Sequence, residues 1–479
     1  MAKEKLISVE TVREHSRAED CWLVVDGKVW DFTDFLPEHP GGPSIILRYA
    51  GRDATQPYNE IHSPSLISDS LSQSKLIGTL DASTITSDWL KLPPKSTPEL
   101  QLDQKPPLHT LISSHDLEEV ASRTISKKAW AFYSSAATDC ITHRANCETF
   151  DRIWWRPRVL RNVQSACTKT RILGVESSVP FFCAPAAMAR LVDGEGEKGI
   201  ARACAKAGVL QCISTNASFP ASEICASVPS HPFFFQLYVN KDRTQTDRLL
   251  KSLPSTIRAI FVTVDAPIAG KREADERVRA DESLSTPMSG AKAKNDKKGG
   301  ALGRIMGGYI DPGLCWEDMK WLRSITSLPI VVKGIMSVED AVMCAEAGID
   351  GIVISNHGGR NLDGAPPSLR TLLQLRLARP EIFRKMEVYL DGGIRRGTDV
   401  LKAVCLGATA VGIGRPILYA LNYGEEGVSH FIEIIRDELE VAMKLVGITN
   451  LGQTSLECLD LGEVETGLGL ERWGVKSRL

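Results

Sequence analysis

Eight short apolar runs recur through the larger part of this chain, separated by segments of helical character. They are Pro180–Ala187, Gln211–Asn216, Phe233–Val239, Ala259–Ala266, Pro329–Ile335, Gly351–Gly358, Glu387–Ile394 and Ala410–Ile417. Runs this short, apolar and without polar alternation read as strands buried on both faces, as in a parallel sheet. Strand–helix alternation repeated eight times, from about Leu108 onward, predicts a closed α/β TIM (β/α)8 barrel. That architecture restricts where chemistry can occur, because catalytic groups of such barrels sit at the C-terminal ends of the strands. The rhythm breaks between about Lys271 and Tyr309. This long segment is rich in Lys, Gly and Ala, with Lys292, Lys294, Lys297 and Lys298 among them. It reads as a mobile, solvated insertion over the barrel mouth.

Polar residues gather at those ends. After the sixth run comes Ser355-Asn356-His357-Gly358-Gly359-Arg360-Asn361-Leu362-Asp363-Gly364. Histidine moves a proton near neutral pH, arginine grips a carboxylate with two parallel hydrogen bonds, and glycine lets a ligand approach the backbone. Gln236 and Tyr238 lie on the third run, Thr263 and Asp265 end the fourth, and Lys333 ends the fifth. Asp391, Gly392, Gly393 and Arg395 follow the seventh, and Gly414 and Arg415 the eighth. Glycine amides and arginines on the last two loops suit a cofactor phosphate.

Residues 1–80 read as a separate unit. Cys21 to Phe32 form two apolar strands around an Asp26-Gly27 turn, a hairpin signature. His39-Pro40-Gly41-Gly42 follows, and His62 comes 62 − 39 = 23 residues after His39. Two histidines in a small domain, one fixed by Pro-Gly-Gly, suggest a bis-imidazole haem clamp. Residues 81–107 hold Pro93-Pro94, Pro98 and Pro106-Pro107 and read as a proline-stiffened linker. Residues 108–479 comprise the barrel, its insertion and a C-terminal tail.

With 479 residues, more than one domain is expected. A net charge of −2 gives no basic field for nucleic acid, and no apolar run is long enough for a membrane span. The 12 cysteines lack paired spacing, as in a reduced compartment. The N-terminal residues carry no signal or transit pattern, which disfavours the mitochondrial intermembrane space. The terminal Ser477-Arg478-Leu479 is a variant of a peroxisomal address, so peroxisome is the expected location and cytoplasm the alternative.

The N-terminal unit resembles the cytochrome b5 family in its His-Pro-Gly-Gly motif and histidine spacing. The resemblance implies an α+β domain binding haem b through His39 and His62, with no open iron position. The second unit resembles the FMN-dependent α-hydroxy acid dehydrogenase and oxidase family. Ser355 to Gly364, Thr263-Val264-Asp265-Ala266-Pro267 and Asp391-Gly392-Gly393-Ile394-Arg395-Arg396-Gly397 carry it. Their fusion in this order is similar to the flavocytochrome b2-type, or cytochrome-type, L-lactate dehydrogenases.

By that resemblance His357 is the base that takes a proton from the 2-hydroxy acid, and Asp265 orients its ring. Arg360 holds the substrate carboxylate, Arg272 assists, Tyr238 binds the substrate hydroxyl, and Lys333 stabilises charge on the flavin. Ala186, Ala187, Ser214, Gln236, Thr263, Lys333 and Asp391 line the FMN, with Gly393, Arg395, Gly414 and Arg415 around its phosphate. Phe132 stands where the family has a tyrosine that helps bind the carboxylate, a loss worth roughly 1.5–3 kcal/mol. Asn216 and Ala269 replace larger apolar pocket residues, so a roomier, more polar pocket is expected.

The implied activity is oxidation of an L-2-hydroxy acid, lactate or a larger analogue, with electrons passing from FMN to haem b. The final acceptor is a cytochrome c-like protein or oxygen. Two alternatives stand beside it: a peroxisomal oxidase making hydrogen peroxide, and a non-catalytic haem–flavin redox sensor suggested by Phe132. The family resemblance implies a homotetramer.

Overall fold

Asp26 and Gly27 both adopt positive φ (50° and 73°) and join strands Asp20–Val25 and Lys28–Asp31 in register Val25 to Lys28, the two-residue hairpin expected of Asp-Gly. The computed structural model describes residues 5–39, 43–59, 66–67, 71–86, 89, 105–466, 468–469 and 473. The chain divides into two units, residues 1–100 and 101–479.

In the first unit the hairpin belongs to a six-stranded sheet completed by Leu6–Ile7, Leu76–Leu80, Ser16–Arg17 and Arg52–Asp53. Side chains alternate across the pleat. Leu23, Val25 and Trp30 enter one apolar cluster with Phe32, Leu36 and Ile46, whereas Val24 and Val29 enter another with Ile7, Val12 and Leu80. Trp89, inside the segment read as linker, is 1% exposed, packs in the second cluster and donates from Nε1 to the Gly51 carbonyl at 3.2 Å. An indole is too large an apolar surface to leave in water, so the packed unit reaches past residue 80. Pro93, Pro94 and Pro98 lie outside the described residues.

The second unit is a closed barrel of eight parallel strands. They are Phe181–Cys183, Leu210–Ser214, Phe233–Leu237, Ile257–Thr263, Ile330–Ile335, Gly351–Ile354, Glu387–Asp391 and Ala410–Ile413. All eight expected runs contain a strand; Ser214, Gln236, Thr263, Lys333 and Asp391 lie in the last residues of theirs, and Tyr238, Asp265, His357 and Arg415 follow theirs. Phe182, Phe234, Phe261 and Tyr389 fill the interior with ring contacts of 5.2–6.3 Å. A hairpin, Thr170–Ile172 and Val175–Ser177, puts Ile172 into that interior cluster, with Leu173 and Val175 packed against it.

The insertion is less solvated than its composition suggests. Lys292, Lys294, Lys297 and Lys298 are exposed, but Ala280, Ala293, Leu302 and Met306 are buried in the main core. Lys128, on the helix Lys127–Ser134, anchors it through Asp275 Oδ1 at 2.5 Å and the carbonyls of Asp275, Val278 and Gly300. Small alanines between the lysines make this packing possible; the lysine count alone concealed it. No helix among the described residues is long and apolar enough to cross a membrane.

Candidate active site

Backbone geometry explains the glycines around His357. His357, Gly358 and Gly359 have consecutive positive φ values of 59°, 65° and 76°. For histidine this conformation is uncommon and costs of order 1 kcal/mol or more, so its surroundings must hold it. A Cβ on Gly359 would fall 2.7 Å from the His143 nitrogen, and the chain can turn here only with glycine. The His357 amide donates to Ser355 Oγ at 3.0 Å, and that hydroxyl also accepts from Lys333 Nζ at 3.0 Å.

The imidazole is held on both sides. Nδ1 lies 2.9 Å from Asp265 Oδ1, and Nε2 lies 3.4 Å from the Tyr238 hydroxyl. Burial lowers the His357 pKa below its ordinary value against the opposing pull of Asp265, with Lys333 also lowering it. The ring is therefore neutral near pH 7 and able to accept a proton at Nε2. Asp265 stays ionised, because the charge of Lys333 and the hydrogen bond with His357 outweigh its burial. Burial and Asp265 push the Tyr238 phenol up to about 12, which keeps it a donor.

Lys333 shows the same balance. Burial disfavours its charge, yet Asp391, 3.2 Å away, and Asp265 hold its pKa above the ordinary value. The strand floor beside it is polar. Gln236 Oε1 accepts from Ser214 Oγ (3.1 Å), and its Nε2 donates to Thr263 Oγ1 (3.0 Å). Ser214, Gln236, Thr263 and Lys333 all line one cavity with His357, Tyr238, Ala186 and Ala187.

Four arginines, Arg272, Arg360, Arg395 and Arg415, face the same cavity, and among the described residues none forms a salt bridge. Arg360 donates from Nη1 to the carbonyls of Tyr133 (2.9 Å) and Ser135 (2.8 Å) and from Nη2 to Phe132 (2.8 Å). Nε and one Nη2 hydrogen remain without an acceptor among the described residues. Its guanidinium also lies 5.3 Å from the Phe132 ring centroid, so the ring offers a face where the expected tyrosine would offer a hydroxyl. Arg415 binds the carbonyls of Tyr133 and Gly358 and meets His143 Nδ1 at 3.2 Å. Burial and Arg415 lower the His143 pKa to about 4, so His143 is neutral and accepts.

Cations largely withdrawn from water and without carboxylates call for an anion. Arg395 Nε and Asp391 Oδ1 are buried with no partner among the described residues, and line the same cavity as Gly392, Gly393 and Gly414. A Cβ on Gly393 (φ +84°) would lie 2.3 Å from the Asn146 carbonyl oxygen. A cationic, glycine-walled rim joined to a polar floor fits a flavin nucleotide, phosphate at one end and ring at the other.

The site residues expected in the barrel line one cavity, except Asp265, which does not line it and reaches it through its hydrogen bond with His357. His39 lies at the end of the helical turn Thr33–Glu38, half-buried, with its ring 6.1 Å from that of Phe35. Pro40 to Gly42 and His62 lie outside the described residues. Several contributors escaped the sequence reading. Tyr309 reaches Asn216 from the insertion, and the Tyr133 hydroxyl donates to the carbonyls of Ala187 and Met188. Asn146 pairs with Asn356 through reciprocal amide bonds of 2.9 and 2.8 Å. They lie far from the strand ends in sequence, and no local pattern marks them.

Comparison with known proteins agrees with both halves. Residues 121–461 match the FMN-dependent dehydrogenase family, and residues 8–81 the cytochrome b5-like haem/steroid binding domain. L-lactate dehydrogenase (cytochrome) of Saccharomyces cerevisiae is 40% identical over 97% of this chain and 81% of its own length. Glycolate oxidase 3 of rice (Oryza sativa subsp. indica) is 39% identical over 71% of this chain and 93% of its own. A mutant flavocytochrome b2 with pyruvate bound has TM-score 0.68 and 42% identity, covering 76% of this chain and 89% of that one. Mandelate oxidase with (S)-4-hydroxymandelic acid has TM-score 0.69 and 34% identity, covering 73% and 98%. The chain belongs to the FMN-dependent dehydrogenase family, with a cytochrome b5-like domain fused ahead of the barrel.

Proposed function

We propose that this chain oxidises an L-2-hydroxy acid, lactate or a larger analogue, to the corresponding 2-oxo acid. The observation that carries this reading is the imidazole of His357, held 2.9 Å from Asp265 in a cavity faced by four arginines that form no salt bridge among the described residues. Arg360 binds the substrate carboxylate through its free Nε and Nη2 hydrogens, and Arg272, 7% exposed, adds a second cation. Tyr238 holds the substrate hydroxyl beside His357. Nε2 of His357 then removes a proton, and Asp265 stabilises the imidazolium formed. Lys333 places positive charge on the polar floor, and Arg395 and Arg415 hold the phosphate. FMN held in this cavity would supply a two-electron acceptor, and His39 and His62 would hold a haem b that accepts electrons one at a time.

Formation of the 2-oxo acid from L-lactate and longer L-2-hydroxy acids, with ferricyanide as acceptor, tests the activity. No product from any of them would overturn it. The sensor reading loses its motive, because Arg360 keeps an anion-binding edge beside Phe132.

The Ser477-Arg478-Leu479 terminus favours a second reading of the final acceptor. In a peroxisome oxygen replaces a cytochrome c-like protein, and the enzyme acts as an oxidase. Oxygen uptake unchanged in His39→Ala would support it. Family likeness supports a homotetramer, which light scattering of the purified protein would test.

A further inference from the structure

At the end of the cavity built from the insertion, the lining is mostly apolar: Ala266, Ala269, Leu302, Met306 and Ile310. Asn216 stands among them, 6% exposed. Its backbone is fixed, since its amide donates to Ser214 Oγ (3.1 Å) and its carbonyl accepts from Met188 (3.0 Å). Its side-chain Oδ1 accepts from the Tyr309 hydroxyl at 3.1 Å.

This arrangement leaves the Nδ2 amide with two hydrogens and no acceptor among the described residues, in a side chain that lines the cavity. A donor so placed, when desolvated by a purely apolar ligand, loses water and gains nothing, at a cost comparable to a lost hydrogen bond. A ligand that offers an acceptor there is favoured, and Ala269 leaves room for a side chain longer than a methyl group. A neutral acceptor suits the uncharged amide, and Arg272, the cation beside Gly303, is already assigned to the substrate carboxylate.

Resting on the 2-hydroxy acid reading above, we propose that the Asn216–Tyr309 pair selects 2-hydroxy acids whose side chain carries an uncharged hydrogen-bond acceptor. The pair reads the far end of the substrate, while His357 and Arg360 handle the common hydroxy acid end. Because Tyr309 belongs to the insertion, substrate choice is set jointly by the second barrel strand's loop and by the insertion.

The test is an isosteric pair, L-2-hydroxy-4-methoxybutanoate and L-2-hydroxyhexanoate, which differ by an ether oxygen for a methylene. Wild type should favour the ether by about fivefold in kcat/KM, the worth of one neutral hydrogen bond. Asn216→Leu should reverse the preference, and Tyr309→Phe should weaken it. The matching 2-oxo acids, titrated against the oxidised flavin absorbance, should show the same order in Kd. Equal values, or a wild-type preference for the hexanoate, would overturn the inference while leaving the activity intact. No flavin bleaching with lactate or either acid would overturn the activity itself, and this inference with it.

Discussion

Asp265→Asn removes one negative charge and changes little else in volume. The carboxylate lies 2.9 Å from His357 Nδ1, with its side chain 10% exposed, so solvent screens the pair weakly. Unit charges about 4 Å apart at an effective dielectric of about 20 interact by about 4 kcal/mol. If about half of the proton's charge has reached the imidazole in the transition state, Asp265 contributes about 2 kcal/mol there, or roughly 30-fold in rate. An asparagine amide can also donate to Nδ1 and fix the wrong tautomer, which in serine proteases costs about 10⁴-fold. Anaerobic stopped-flow flavin reduction should therefore slow by between about 30-fold and about 10⁴-fold. The pH dependence should move as well. Asp265 raises the His357 pKa, so its loss lowers that value, and the acidic limb of kcat/KM should shift to lower pH. A rate loss under about threefold, or a limb shifted upward, would refute the role assigned to this carboxylate.

The remaining predictions concern the same cavity and its supports. In wild type, kcat/KM should be flat near neutral pH and fall below the ordinary histidine value of about 6.5, because His357 must be neutral to accept a proton and burial lowers its pKa; a limb above pH 7 would contradict this. Gly393→Ala should lose FMN, since its Cβ would lie 2.3 Å from the Asn146 carbonyl oxygen, and the flavin content of purified protein checks it. Lys128→Met should destabilise the barrel by about 3–5 kcal/mol in a chemical melt, because it strands the fully buried Asp275 carboxylate.

The barrel was legible because each strand is a short apolar run followed at once by the residues that do chemistry. Phe233–Leu237 then Tyr238, and Gly351–Ile354 then His357, show the period directly. The hairpin at Asp26-Gly27 was legible because its turn needs two positive φ angles. Less visible were groups whose importance arises only from tertiary contact. Trp89 lies in a stretch whose prolines mark a linker, and only its burial ties it to the first unit. Tyr309 and Lys128 belong to no motif, and each acts through a partner distant in sequence. Arg360 was identified from its spacing to His357. Its three backbone carbonyl bonds could not be, because they come from a helix end 225–228 residues away.

Rapid anaerobic mixing of the intact chain with L-2-hydroxy acids, following flavin and haem absorbance together, tests the central claim most directly. The account predicts flavin bleaching by at least one acid, followed by reduction of the haem bands. A flavin that stays oxidised with every acid, from lactate to the ether and hexanoate analogues, would contradict it.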